Sequence, residues 1–139
     1  MLLSRSVKTA NFLQLNRDRP FVWGDWDCNL FIVDLLDHID AQGMPWRSQA
    51  IRGKYDTRLG ACRFQYHYTP APQWLEQQGY ALIKSDRLVE HDIVLEPKKR
   101  FWTASVFFGQ RLWSVVEDQR LNCVEIEPGE HTIARINYG

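Results

Sequence analysis

The stretch Pro20-Phe21-Val22-Trp23-Gly24-Asp25-Trp26-Asp27-Cys28-Asn29-Leu30-Phe31 decides how the chain is read, because an aromatic-glycine turn runs straight into a helix start. Asp27 has the side chain of an N-cap, whose carboxylate accepts the unsatisfied N–H groups of a first helical turn. After it, Cys28, Phe31, Ile32, Leu35, Leu36 and Ile39 recur at the spacing of one buried face, while Asn29, Asp34, Asp37 and Asp40 lie largely off it. Cys28 therefore stands in the first turn of an amphipathic helix. A helix N-terminus carries roughly half a positive charge, which favours thiolate over thiol, so Cys28 is a candidate nucleophile. The same position also suits an inert core thiol, since free cysteine is among the most buried residue types.

Upstream, Ser6 can cap a short helix that runs to Asn16 and ends at Arg17-Asp18-Arg19-Pro20. Downstream, Gly43 stops the Cys28 helix, and residues 48–54 read as a short helix. Asp56 caps another, carrying Leu59, Cys62 and Tyr66; Pro70 and Pro72 open a helical turn around Trp74 and Leu75, closed by Gly79. Beyond Gly79 the period changes. Residues 80–83, 92–95, 101–108, 112–116, 121–126 and 132–138 read as strands, with turns at Gly109-Gln110, Asp118-Gln119-Arg120 and Glu127-Pro128-Gly129. Along 101–108, alternation places Phe101, Thr103, Ser105 and Phe107 on one face and Trp102, Ala104, Val106 and Phe108 on the other. Helices followed by an antiparallel meander define an α+β domain, and residues 1–139 read as one such domain.

Composition excludes more than it assigns. Lys and Arg total 17 and so do Asp and Glu, so no net field attracts nucleic acid or an anionic membrane. The start lacks the apolar run of a signal peptide, and no stretch reaches transmembrane length, so no membrane insertion is expected. Cys28, Cys62 and Cys123 are too widely spaced for a disulfide framework or a paired zinc motif, which points to a reducing compartment. With no Gly-rich phosphate loop and no Gly-x-Ser-x-Gly elbow, neither cofactor nor metal is expected. Six Trp, five Tyr and seven Phe fit a large core, a sugar-stacking groove or a protein interface, with Trp46, Trp74 and Trp113 as candidate anchors. The basic run Lys98-Lys99-Arg100 and the acidic set Glu125, Glu127 and Glu130 read as solvated loop residues.

A nucleophilic Cys28 needs a base. His38 is about ten residues further along the same helix, roughly 15 Å, and is excluded. His67 sits among tyrosines and reads as a packing or surface residue. His131, in the last strand, and His91, ahead of the second, are the candidate catalytic partners.

Phe21-Val22-Trp23-Gly24, Asp27-Cys28 and the apolar run Leu30-Phe31-Ile32 resemble the opening of the NlpC-like cell-wall cysteine peptidases and amidases, which are papain-like in fold. The resemblance is greatest to a small branch found among phage and prophage tail genes. Gly53-Lys54-Tyr55-Asp56-Thr57-Arg58-Leu59-Gly60-Ala61 resembles that branch's second segment. His91-Asp92-Ile93-Val94-Leu95 resembles its third, a Gly-Asp-Val-Val-Leu-type strand in which His91 replaces glycine. The active peptidases carry a histidine at the start of the following strand, where this chain has Trp102 or Thr103, and Asn29-Leu30 stands where Ser-Gly often follows their cysteine. Neither indole nor hydroxyl can shuttle a proton near neutral pH.

The resemblance implies a papain-like domain and three functional readings. The first is a structural or assembly protein of a phage tail tip without catalysis, made in the bacterial host cytoplasm and then carried in the virion tail, its partners being other phage tail proteins. The second is a cysteine peptidase or amidase acting on peptidoglycan peptides, with Cys28 as nucleophile and His131 or His91 as base. The third is a cytoplasmic protein-binding module.

Overall fold

The computed structural model describes residues 4–40, 44–67, 70–99 and 101–136, except for the side chains of Tyr66 and His67. Within them the order is helices α1 (Arg5–Asn16), α2 (Cys28–Asp40), α3 (Arg58–His67) and α4 (Ala71–Gln77), then strands β1 (Tyr80–Ser85), β2 (Ile93–Pro97), β3 (Trp102–Phe108), β4 (Arg111–Val115), β5 (Leu121–Val124) and β6 (His131–Ile136). The class is α+β, as the change of period at Gly79 predicts. Gly43, Arg100 and Tyr138 lie outside the described residues.

Local chemistry fixes the boundaries. Ser4, not Ser6, caps α1, its hydroxyl accepting from the Val7 N–H at 3.2 Å. Asp27 caps α2 as expected. At α3 the cap is Thr57 rather than Asp56, since the Thr57 hydroxyl accepts from the Gly60 N–H at 3.0 Å. Residues 48–54 yield only a 3-10 turn over Ser48–Ala50. Asp37 is the reason: it is buried rather than off the apolar face, and its carboxylate takes the N–H groups of both Arg47 and Ser48. That contact pins the chain as a loop.

The sheet is antiparallel, in the order β1-β6-β2-β3-β4-β5, and here the expected simple meander needs correction. Only β2 to β5 are consecutive. β6 returns across the sheet to lie between β1 and β2, and Ile133 and Ala134 on it are fully buried. His131 therefore starts an inner strand, not an edge. The face with Ile93, Leu95, Ala104, Val106, Val115 and Ala134 packs on Phe31, Ile32, Leu35 and Leu36 of α2, on Phe12 of α1 and on Leu75 of α4. Of β3, it is the expected set Trp102, Ala104, Val106 and Phe108 that turns to the helices. On the opposite face Val94, Phe107 and Leu112 form a smaller cluster with Leu88 and Val124.

Between β5 and β6 the link 125–130 passes three intervening strands. Four strand spacings are roughly 19 Å, near the reach of so short a segment, which is at most about 25 Å. The open face is concave beneath it, and one groove of about 800 Å³ touches Val94, Ser105, Ser114, Val124 and His131, one residue from each of β2 to β6.

The Gly24 turn holds the start of α2 against the loop before α3. Gly24 has φ +80°, and a Cβ there would stand 1.7 Å from the Tyr55 carbonyl oxygen. Gly129 also has positive φ, but nothing lies within 4 Å of its Cβ position. Gly24→Ala is therefore expected to cost more than about 3 kcal/mol or abolish folding, because backbone strain and a hard clash add. Gly129→Ala is expected to cost only about 1 kcal/mol. Urea unfolding of the two variants measures the difference, and equal costs would mean that the close approach of residues 24 and 55 does not hold the turn.

Candidate active site

The site is assembled around the Asp27 carboxylate, which is 1% exposed. One oxygen accepts the N–H groups of Asn29 at 3.1 Å and Leu30 at 2.9 Å, at the start of α2. The other accepts the Gly24 N–H at 3.0 Å and the Tyr55 hydroxyl at 2.6 Å. Four donors from three segments thus converge on one carboxylate. The Tyr55 pKa is raised, first by burial and then by the Asp27 charge, so the phenol remains a donor at any pH where the protein is folded.

Cys28 begins α2, as the sequence requires, and lies buried there. Burial pushes its thiol up to about 12, and the neighbouring Asp27 charge adds to the effect; main-chain groups of Ala104, Cys28 and Asn29 act the other way and do not prevail. The field of the helix start, which would favour a thiolate, is already taken by the Asp27 carboxylate. The strand residue that meets the sulfur is Ala104, one or two positions beyond the Trp102 or Thr103 to which the resemblance leads, and it too carries no titratable group. Among the described residues no imidazole hydrogen-bonds to the Cys28 sulfur.

Among the described residues neither candidate base hydrogen-bonds to it. His91 precedes β2 with φ +75°, a left-handed conformation that glycine adopts without cost. Its Nε2 meets the Ser6 hydroxyl of α1 at 3.1 Å, its ring packs on Phe108, and Nδ1 is buried with no partner. Burial and then the Arg5 charge hold its pKa below the usual value. His91 thus ties α1 to the sheet. His131 lines the open-face groove, and so does Cys28, with Ala104 and Ser114. The β3–β4 pairing ends at Val106 and Trp113, and beyond it the Ser114 hydroxyl donates to the Ala104 carbonyl at 2.7 Å. His38 packs on Phe12, at 5.5 Å between ring centroids, and only the backbone of His67 is described.

Three features escaped the sequence reading: the phenol of Tyr55, the closure of the thiol by Ala104, and an ion network on the outer side of α2. In that network Arg52 bonds to Asp25 and Asp34, and Arg19 pairs with both while lying 4.3 Å over the Trp26 ring. Tyr55 stands in the second segment of the resemblance, where its place beside Gly53 was the available signal. Among the described residues, no group of three or more His, Cys, Asp and Glu side chains could hold a metal ion, and no helix is long and apolar enough to cross a membrane.

The raised Cys28 pKa fixes a pH dependence. The unfolded thiol ionises near 9.0 and the folded one near 12, so between these values the folded state binds more protons, and stability falls as pH rises. Below the unfolded value this contribution is fully present. Cys28→Ala is expected to remove about one proton from the alkaline slope of unfolding free energy against pH. In the native protein near pH 8, iodoacetamide is expected to modify half-buried Cys123 well before Cys28. Rapid native-state labelling of Cys28 in a peptide map would show the thiol to be reactive.

No curated protein and no solved structure matches the chain. Residues 4–132, nearly its whole length, match the sequence profile of the family described as Domain of unknown function (DUF6950), and the chain belongs to that family.

Proposed function

We propose that this domain works by binding and not by catalysis, as a structural or assembly component of a phage tail tip built on an NlpC-like, papain-like fold. The observation that carries the non-catalytic part is the state of Cys28: 7% exposed, raised to about 12, and met on the adjacent strand by Ala104. A nucleophilic cysteine needs the opposite on each count, namely a lowered pKa, access and an adjacent base. The tail-tip part rests on the three segments of resemblance, and it implies other tail proteins as partners and the virion tail as destination. Of the candidate anchors, Trp46 is 66% exposed and suits an interface, whereas Trp74 and Trp113 are half-buried against the core.

One observation favours the cysteine peptidase as a second reading: Cys28 and His131 line the same groove. A rearrangement that brings the imidazole to the sulfur would create the missing pair, with peptidoglycan peptides as substrates. The two readings separate cleanly. Purified protein is expected to release no fragments from cell-wall muropeptides, and Cys28→Ala to support the same plaque yield and virion composition as the wild type. Trp46→Ala, which removes an exposed ring, is expected to lower incorporation into particles while remaining folded. Muropeptide cleavage that disappears in both Cys28→Ala and His131→Ala would overturn the binding reading in favour of the enzyme.

A further inference from the structure

The open face of the sheet is shaped and charged for a ligand that the chain itself does not supply. Five glutamates line its groove, at positions 96, 117, 125, 127 and 130, against Lys98 and Arg58, although the chain as a whole is neutral. Glu96 is neutralised by Lys98 at 2.9 Å. Among the described residues the other four carboxylates have no ion-pair partner, so a cation entering the groove meets charge that is not already spent.

A second observation is independent of the charge. Ser105, on the groove face of β3, is 9% exposed, lines the groove, and its hydroxyl makes no hydrogen bond to any described residue. That hydroxyl opens into the groove, where an incoming main-chain group can take the place of water. Around it Val94, Leu112 and Val124 form an apolar floor. At the far end Phe21 and Trp23 meet edge to face at 4.8 Å, and the Phe101 ring already has the Arg58 guanidinium over it at 5.8 Å. Apolar floor, aromatic end and free carboxylates are the elements that recognise alternating apolar and cationic side chains.

We propose that this groove binds an extended, arginine- or lysine-bearing segment of a partner protein, with the glutamates of the 125–130 link and Glu117 taking the cations and Ser105 the main chain. The proposal rests on reading the domain as a binding module and names the chemistry of its partner.

The test uses the full chain, labelled with nitrogen-15, and a blocked pentapeptide alternating arginine and valine, with its glutamate–valine counterpart and spermine as comparisons. At low salt the arginine peptide is expected to shift amide resonances of β3, β4 and residues 124–131 saturably, and raising the salt to about 0.3 M is expected to weaken it, because such contacts are screened. The triple variant Glu125→Gln/Glu127→Gln/Glu130→Gln, whose exposed side chains leave the fold intact, is expected to bind about tenfold more weakly or worse. Ser105→Val is expected to weaken binding without altering salt dependence, and Glu76→Gln, on α4, to bind as the wild type does. Equal binding of the glutamate peptide, unchanged affinity in the triple variant, shifts confined to other faces, or spermine binding as tightly as the peptide would each overturn the proposal. Mass spectrometry of the recovered peptide keeps the two readings distinguishable. Intact peptide that never bound removes the groove assignment and leaves the non-catalytic reading standing, whereas cleaved peptide makes the groove a substrate cleft and removes both.

Discussion

The Asp27 carboxylate is the point on which the arrangement of the helical layer turns. It accepts four hydrogen bonds, from the first turn of α2, from the Gly24 turn and from Tyr55. A buried carboxylate is tolerable only when its lone pairs are met in this way, so each of the three segments is held by the cost of leaving the others' partner exposed. Gly24 has to lack a side chain because the Tyr55 carbonyl passes where its Cβ would be. That close approach is in turn what lets the Tyr55 hydroxyl reach the carboxylate. Capping, glycine and phenol are one device, and α2 is aimed across the sheet by it.

The same chemistry recurs at two other places where the chain leaves a regular element. Asp37 takes two main-chain N–H groups of the 47–48 turn and is approached by the Arg47 guanidinium. Asp92 takes the Val89 N–H and two hydrogen bonds from Arg135 on β6. The last of these bears on topology. β6 must cross three strands to reach its slot between β1 and β2, and Arg135 on Asp92 fixes its register there by more than apolar packing. A half-buried ion pair with satisfied geometry adds less stability than discrimination, because a strand slipped by one residue would leave Asp92 buried without Arg135.

What the sequence disclosed follows from how local each feature is. The α2 face, its Asp27 cap and the alternation of β3 are set by side chains within a few positions of one another, and they are legible for that reason. Ser4 in place of Ser6 and Thr57 in place of Asp56 are choices between adjacent cap-forming residues, decided by which backbone turns first. The place of β6 was not legible: nothing local distinguishes residues 132–138 as a sixth meander strand from a strand inserted between β1 and β2, because the deciding partner, Asp92, is far away in sequence. At the site, Cys28, His91 and His131 could be nominated by type, but Ala104 could not, since an alanine has no chemistry to draw attention. The left-handed backbone at His91 was not read from the sequence, since histidine gives no local sign of it.

The cysteine and the aspartate compete for one resource. A helix start offers a limited positive field and a few N–H donors, and whichever anion sits closest takes them. Here Asp27 is that anion, and Cys28, one residue on, meets the remaining low-dielectric surroundings of Ala104 together with the negative charge of its neighbour. Ionising the thiol would put a second anion beside the first with no cation to offset it. An imidazolium facing the sulfur would supply that cation, and the strand residue there is an alanine. In this structure Asp27 is a cap and Cys28 lies buried behind it. Among the described residues the glutamates of the 125–130 link have no ion-pair partner, and they line the groove that Cys28 also borders without offsetting any charge there.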